Sequence, residues 1–143
     1  MTPADAPLTG TCHCGAVSVT IPRRPEAATN CNCSVCRRYA TLWGYFPLAE
    51  VSFKGHPGQT DRYSWGEKGL YFVRCKTCGC VTHWEPVEPK PDSRAGINLR
   101  NFDAAALGTL KVRFFDGAGA WTRLGEIDHA PNGFSVGASL PPG

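Results

Sequence analysis

Cys31-Asn32-Cys33-Ser34-Val35-Cys36-Arg37-Arg38 sets three cysteines within six residues, at C-x-C-x-x-C spacing. Thiolate is a soft ligand that suits zinc, with Zn–S near ~2.3 Å in a tetrahedral shell. A C-x-x-C turn places two sulfurs on one ion, and C-x-C adds a third from the preceding extended residue. Three sulfurs leave one corner of the tetrahedron open. An open corner separates a catalytic zinc from a structural one.

Outward from this stretch, two more cysteine groups share its logic. Gly10-Thr11-Cys12-His13-Cys14-Gly15 is a C-x-C turn bracketed by glycines, which permit the tight backbone that lets two sulfurs converge. Cys75-Lys76-Thr77-Cys78-Gly79-Cys80 follows a strand-like run, the way a zinc ribbon is entered. Cys12 and Cys14 with Cys75 and Cys78 would make one closed four-sulfur site. Structural zinc contributes on the order of ~10–16 kcal/mol against total domain stabilities of ~5–15 kcal/mol, so its loss should unfold the chain. Cys31, Cys33 and Cys36 would hold a second zinc, with Arg37 and Arg38 offsetting its net negative charge. Cys80 is expected to be a small buried thiol. The alternative is that it closes the second site as a fourth sulfur.

The composition fits this reading. The 143 residues suffice for one domain with a real core, and 42% are hydrophobic. Sixteen glycines and twelve prolines are spread along the chain, which favours many short elements and a mostly β fold over a helical one. Net charge is only +3 with no long basic tract, so nucleic-acid binding is not implied. There is no transmembrane run, and Met1 to Gly10 lacks the apolar core of an export signal. A cytoplasmic location is therefore expected, and there eight cysteines read as metal ligands rather than a disulfide framework.

Along the chain, Met1 to Thr9 is expected to fray. Alternation or aromatic content predicts strands at 16–21, 42–48, 51–54, 60–65, 70–74, 81–84, 94–99 and 110–115. Ala95, Ile97 and Leu99 should share a face. Ser34 onward can form one helical turn. Residues 101–107 are the best short helix, with Asp103 or Asn101 as cap. From Gly117 onward little is legible beyond Trp121 and a Gly/Pro-rich tail.

The whole cysteine pattern, with its flanking Gly10, Gly15, Ser34, Arg37, Arg38 and Gly79, resembles the glutathione-dependent formaldehyde-activating enzyme family, which also includes centromere protein V. The resemblance spans about residues 9–115, the expected core of a single domain over 1–143. It implies several coiled β-sheets around cysteine-ligated zinc, with one or two short helices. It implies two zinc ions per chain: a structural one on Cys12, Cys14, Cys75 and Cys78, and a catalytic one on Cys31, Cys33 and Cys36. The implied reaction joins glutathione and formaldehyde into S-hydroxymethylglutathione, classed in the reverse sense as carbon–sulfur lyase chemistry. Cys80 departs from the family, which usually has Ser or Thr there.

On this reading a zinc-bound thiol loses its proton and adds to a small aldehyde. Arg37, Arg38 or Lys54 would receive the thiol's carboxylates. Trp43, Tyr45 and Phe46 would either wall the pocket or, as expected of a strand, fill the core. Among the histidines, His83 is the best placed for a site role. His13 should point outward, and His56 and His129 should be exposed. The alternative function is a non-catalytic zinc module binding protein or nucleic acid. A redox role for Cys75-x-x-Cys78 lacks the surrounding βαβ pattern. The expected partners are a small thiol and an aldehyde, with no membrane and no nucleic acid, and the oligomeric state is not legible.

Overall fold

Two antiparallel ribbons of polar and apolar alternation meet face to face, and that contact makes the core. The computed structural model describes residues 5–129. Its strands are β1 (Leu8–Thr11), β2 (Ser18–Ile21), β3 (Ala27–Cys31), β4 (Trp43–Pro47), β5 (Ser52–Lys54), β6 (Thr60–Tyr63), β7 (Leu70–Cys75), β8 (Val81–Pro86), β9 (Arg94–Asn98), β10 (Leu110–Phe115) and β11 (Arg123–His129). Two short helices are α1 (Ser34–Tyr39) and α2 (Ala104–Leu107). The strands form a three-stranded sheet, β1-β2-β5, and an eight-stranded sheet, β11-β10-β3-β4-β9-β8-β7-β6. All pairings are antiparallel except that of β3 with β10.

Side chains alternate across a strand, so each strand of the large sheet serves two faces. On one face Phe46, Ala95, Ile97, Leu99, Leu110 and Val112 pack against Val19 and Ile21 of the small sheet. On the other face Trp43, Phe72 and Val81 pack beneath α1, against Val35 and Cys36. Gly96 belongs to this second face: a methyl group there would stand 2.0 Å from the indole Nε1 of Trp84. Only glycine lets the Trp84 ring lie flat across β9.

The mostly β reading holds, and each anticipated strand is present within a few residues. So is the short helix, where Asp103 accepts from the Ala105 N–H at 3.0 Å. Three strands lie outside the expectation. β1 spans the end of the segment expected to fray, Met1 to Thr9, and the start of the C-x-C turn, yet it pairs with β2 through all four of its residues. Residues 27–31 (Ala-Ala-Thr-Asn-Cys) show no alternation of large side chains; β3 is strand because β10 and β4 flank it. β11 covers the outer edge of β10. Met1 to Ala4 and residues 130–143, with the expectation made for the tail, lie outside the described residues. No helix among the described residues is long and apolar enough to cross a membrane.

Candidate metal centres and a basic cleft

The C-x-C turn after β1 and the knuckle after β7 meet. The Cys12 and Cys14 sulfurs are 3.7 Å apart, and those of Cys14 and Cys75 are 3.6 Å apart. Four sulfurs at ~2.3 Å from one ion stand ~3.8 Å from one another, so this spacing is that of a tetrahedral thiolate shell. Cys78 completes the group, with all four sulfurs within 4.8 Å of one another. Backbone N–H groups turn toward the sulfurs: Val17 donates to Cys12 at 3.3 Å and Thr77 to Cys75 at 3.4 Å. The Cys80 N–H and its neighbours hold the Cys78 thiol down to about 5, against desolvation. At Cys14 the Ala16 N–H pulls the thiol down, but desolvation and the crowd of sulfurs around it outweigh that and push it up to about 11. A set in which some thiols are readily ionised and others share their protons is what a dipositive, thiophilic ion would unify.

Cys80 is in neither of its expected places. It is half-buried at the rim of this first cluster, packed with Cys78 against Cys12, Val17 and Cys75. The His13 N–H pulls its thiol down, but burial and the adjacent Cys78 sulfur raise it overall. Its position follows from the knuckle: the Cys75 N–H bonds to the Cys80 carbonyl at 3.0 Å, which folds Cys80 back toward Cys78 rather than into the core.

Cys31, Cys33 and Cys36 form the second group, their sulfurs also within 4.8 Å of one another. Cys31 ends β3. Cys33 is the N-cap of α1, its sulfur accepting from the Cys36 N–H at 3.5 Å. Cys36 lies one turn on, buried, and the Trp43 indole N–H donates to its sulfur at 3.3 Å. Hydrogen bonding from Cys36 draws the Cys31 thiol down to about 6 despite burial, and the N–H groups of Cys33 and Gly117 help. Cys36 is pushed up correspondingly, first by sharing its proton with Cys31 and then by burial. Gly117 has to be glycine for this approach: a methyl group there would stand 2.5 Å from the Cys31 sulfur. Among the described residues no fourth His, Cys, Asp or Glu joins this trio.

The trio borders a cleft of about 880 Å³. Trp43, Tyr45, Trp65, Phe72, Trp84 and Trp121 wall it, while Phe46 turns to the opposite face and the core. Of the expected aromatics, two therefore line the cleft and one does not. The cations in it are Lys68, Arg94, Arg113 and Arg123, against one carboxylate, Glu67. Arg94 lies 4.7 Å over the Tyr45 ring, and Arg113 pairs with Glu126 at 3.0 Å. The expected cations are elsewhere. Arg38 bonds to the Ser34 carbonyl on the exposed side of α1, Arg37 is likewise exposed, and Lys54 is on the small sheet. The signal for two of the cleft cations was parity: Arg94 alternates with Ala95 and Ile97, and Arg113 with Val112 and Phe114, so both face away from the core.

His56 and His83 belong to neither cysteine group. His56 was expected to be exposed, but its side chain is only 11% accessible, and it bonds to Glu85. His83 is fully buried.

Residues 7–114 match the family model described as glutathione-dependent formaldehyde-activating enzyme. Among solved structures the chain is similar to a Rhodobacter sphaeroides protein, a structural-genomics target known by its crystal structure, at 27% identity and a TM-score of 0.60. That likeness covers 73% of this chain and 99% of the other. No curated protein matches.

Proposed function

The chain belongs to the glutathione-dependent formaldehyde-activating enzyme family, and from that premise we propose that it joins an anionic thiol, glutathione or a similar one, to a small aldehyde such as formaldehyde. The observation that carries this reading is the pairing of a three-sulfur group with a basic cleft. Cys12, Cys14, Cys75 and Cys78 then hold a structural zinc, and Cys31, Cys33 and Cys36 a catalytic one, two per chain. The whole acts as a single domain of cytoplasmic carbon–sulfur lyase type.

The reaction converts a thiol S–H and an aldehyde C=O into one S–C–O–H unit. The sulfur lone pair forms the S–C bond, the carbonyl π pair moves to oxygen, and the proton released by the thiol ends on that oxygen. Cys31, Cys33 and Cys36 would hold a zinc ion, which when bound would supply the acidity for the incoming thiol to give up its proton at neutral pH. Arg94, Arg123 and Lys68 receive the thiol's carboxylates, by charge-assisted hydrogen bonds. Phe72 and Trp84 give the reacting atoms an apolar wall, and the exposed rings of Trp65 and Trp121 extend it. Tyr45 keeps its phenolic proton, because desolvation raises it above its ordinary range, and it is the donor in the cleft able to steady the developing oxyanion.

The test is zinc per chain in wild type and Cys33→Ser, followed by glutathione titration and formaldehyde consumption. Two zincs falling to one, a second zinc perturbed by glutathione, and aldehyde turnover are expected. Arg94→Gln should raise KM for the thiol by roughly 10-fold or more, the loss of one charged hydrogen bond. Arg37→Gln/Arg38→Gln should leave KM unchanged. Two zincs with no glutathione response and no aldehyde consumption would reject the enzyme reading in favour of a non-catalytic zinc module.

A further inference from the structure

On the opposite face of β8 from the cleft, His83 and Glu85 sit two residues apart and point the same way. His56, from the turn after β5, reaches across to meet them. Its Nε2 is 2.8 Å from Glu85 Oε1, and His83 Nε2 is 3.7 Å from Oε2. The ligand atoms of all three lie within 4.8 Å of one another. Phe53 closes the group, its ring 4.3 Å from that of His83 and edge-on to His56.

Each ring has a hydroxyl at its Nδ1: Thr82 at 2.8 Å from His83 and Thr60 at 2.8 Å from His56. Thr82 also reaches the Val73 carbonyl at 3.3 Å and Thr60 the Pro57 carbonyl at 3.1 Å. A hydroxyl has one hydrogen to give, so where it goes to the carbonyl, the same oxygen accepts from Nδ1–H. In that arrangement both Nε2 atoms are lone pairs aimed at a carboxylate, and three acceptors converge with no donor among them, which a cation would satisfy. A proton on His56 would satisfy its contact with Glu85. It would leave His83 Nε2, which is fully buried, with no partner at all.

We infer that His56 Nε2, His83 Nε2 and Glu85 bind a third metal ion, a divalent first-row transition cation. Two imidazoles and one carboxylate form a ligand set used by zinc and by ferrous iron. A carboxylate oxygen faces each imidazole nitrogen, Oε1 toward His56 and Oε2 toward His83, and the three ligand atoms lie within 4.8 Å of one another. The threonines hold the rings in the ligating tautomer, as outer-shell partners of metal-bound histidine do. The ion would staple the end of β5, in the small sheet, to β8 of the large one. It is separate from both sulfur groups and does not depend on the proposed reaction.

The test uses full-length protein with both sulfur groups already filled with zinc, and zinc itself as the probe. Zinc is titrated while the imidazole nitrogens are followed by long-range proton–nitrogen NMR. Expected is one further equivalent per chain, a shift of the His56 and His83 Nε2 resonances, and retention of both Nδ1–H signals. Cobalt added in the same way should give weak ligand-field bands without new thiolate charge transfer. Glu85→Gln and His56→Gln, both partly exposed positions, should each lose the extra equivalent while the sulfur sites keep theirs. If the wild-type rings do not respond to a stoichiometric further equivalent, the inference is overturned, whatever the variants do. It also fails if folded Glu85→Gln binds that equivalent as tightly as wild type.

Discussion

The indole N–H of Trp43 donates to the sulfur of Cys36 at 3.3 Å, in the apolar cluster that backs the three-cysteine group. Trp43 is 1% accessible, so this donor has no water to turn to. The bond fixes the Cys36 side chain and disperses its charge when it ionises. Trp43→Phe keeps the ring's bulk in part and removes the donor. Outer-shell losses of this kind typically cost about 10–100-fold in metal affinity. Competition with a chromogenic chelator should show the second zinc weakened by about that factor and the first unaffected.

Cys12 and Cys33 should behave differently although each belongs to a cysteine group that could hold a metal ion. Cys12 is 2% accessible and packs with Val17 and Cys75, where the C-x-C turn joins the knuckle after β7. Cys12→Ser removes a ligand and leaves a hydroxyl in that apolar contact. Loss of the native circular-dichroism spectrum and of both zincs is expected. Cys33→Ser, on a half-buried cap, should lose one zinc and keep the spectrum.

Gly96→Ala tests the close approach of Trp84 to β9. The added methyl would stand 2.0 Å from the indole nitrogen, so the ring must leave its place. Overpacking of this kind costs about 1–3 kcal/mol. Chemical denaturation should show that loss, and the displaced ring should narrow the cleft and raise KM for the thiol.

Asp116 ties the β10–β11 turn to the cysteine stretch: it accepts from the Asn32 amide at 3.0 Å and from the Ala120 N–H at 2.9 Å. The Ala120 N–H, then Asn32, hold its carboxyl below the ordinary range, against desolvation. A depressed folded value means the tie is present above the unfolded value and is lost as pH falls through the folded one. The protection of the Ala120 amide in hydrogen exchange should therefore drop on acidification below about pH 4. Asp116→Asn should lack that protection at every pH.

Each cysteine knuckle was legible because its geometry is local. C-x-C and C-x-x-C place sulfurs within a turn of one another whatever the rest of the chain does, and Cys31, Cys33 and Cys36 converge as their spacing predicts. Alternation likewise disclosed β9, where Ala95 and Ile97 are wholly buried, with buried Leu99 just past its end. β1, β3 and β11 escaped notice because their four to seven residues carry no regular apolar alternation. They are strands because a neighbour supplies their hydrogen bonds.

The sequence by itself determined which residues can ligate a soft metal and that the fold is mostly β, since thiolate chemistry and the two-residue strand period need no partner. The tertiary structure alone decided what surrounds them. Lys68, Arg94, Arg113 and Arg123 come from separate elements and meet only when the large sheet assembles. His56 finds His83 and Glu85 only because the small sheet packs onto the large one. Each of these depends on long-range packing, and a linear chain carries no local signal of which distant side chains will share a face.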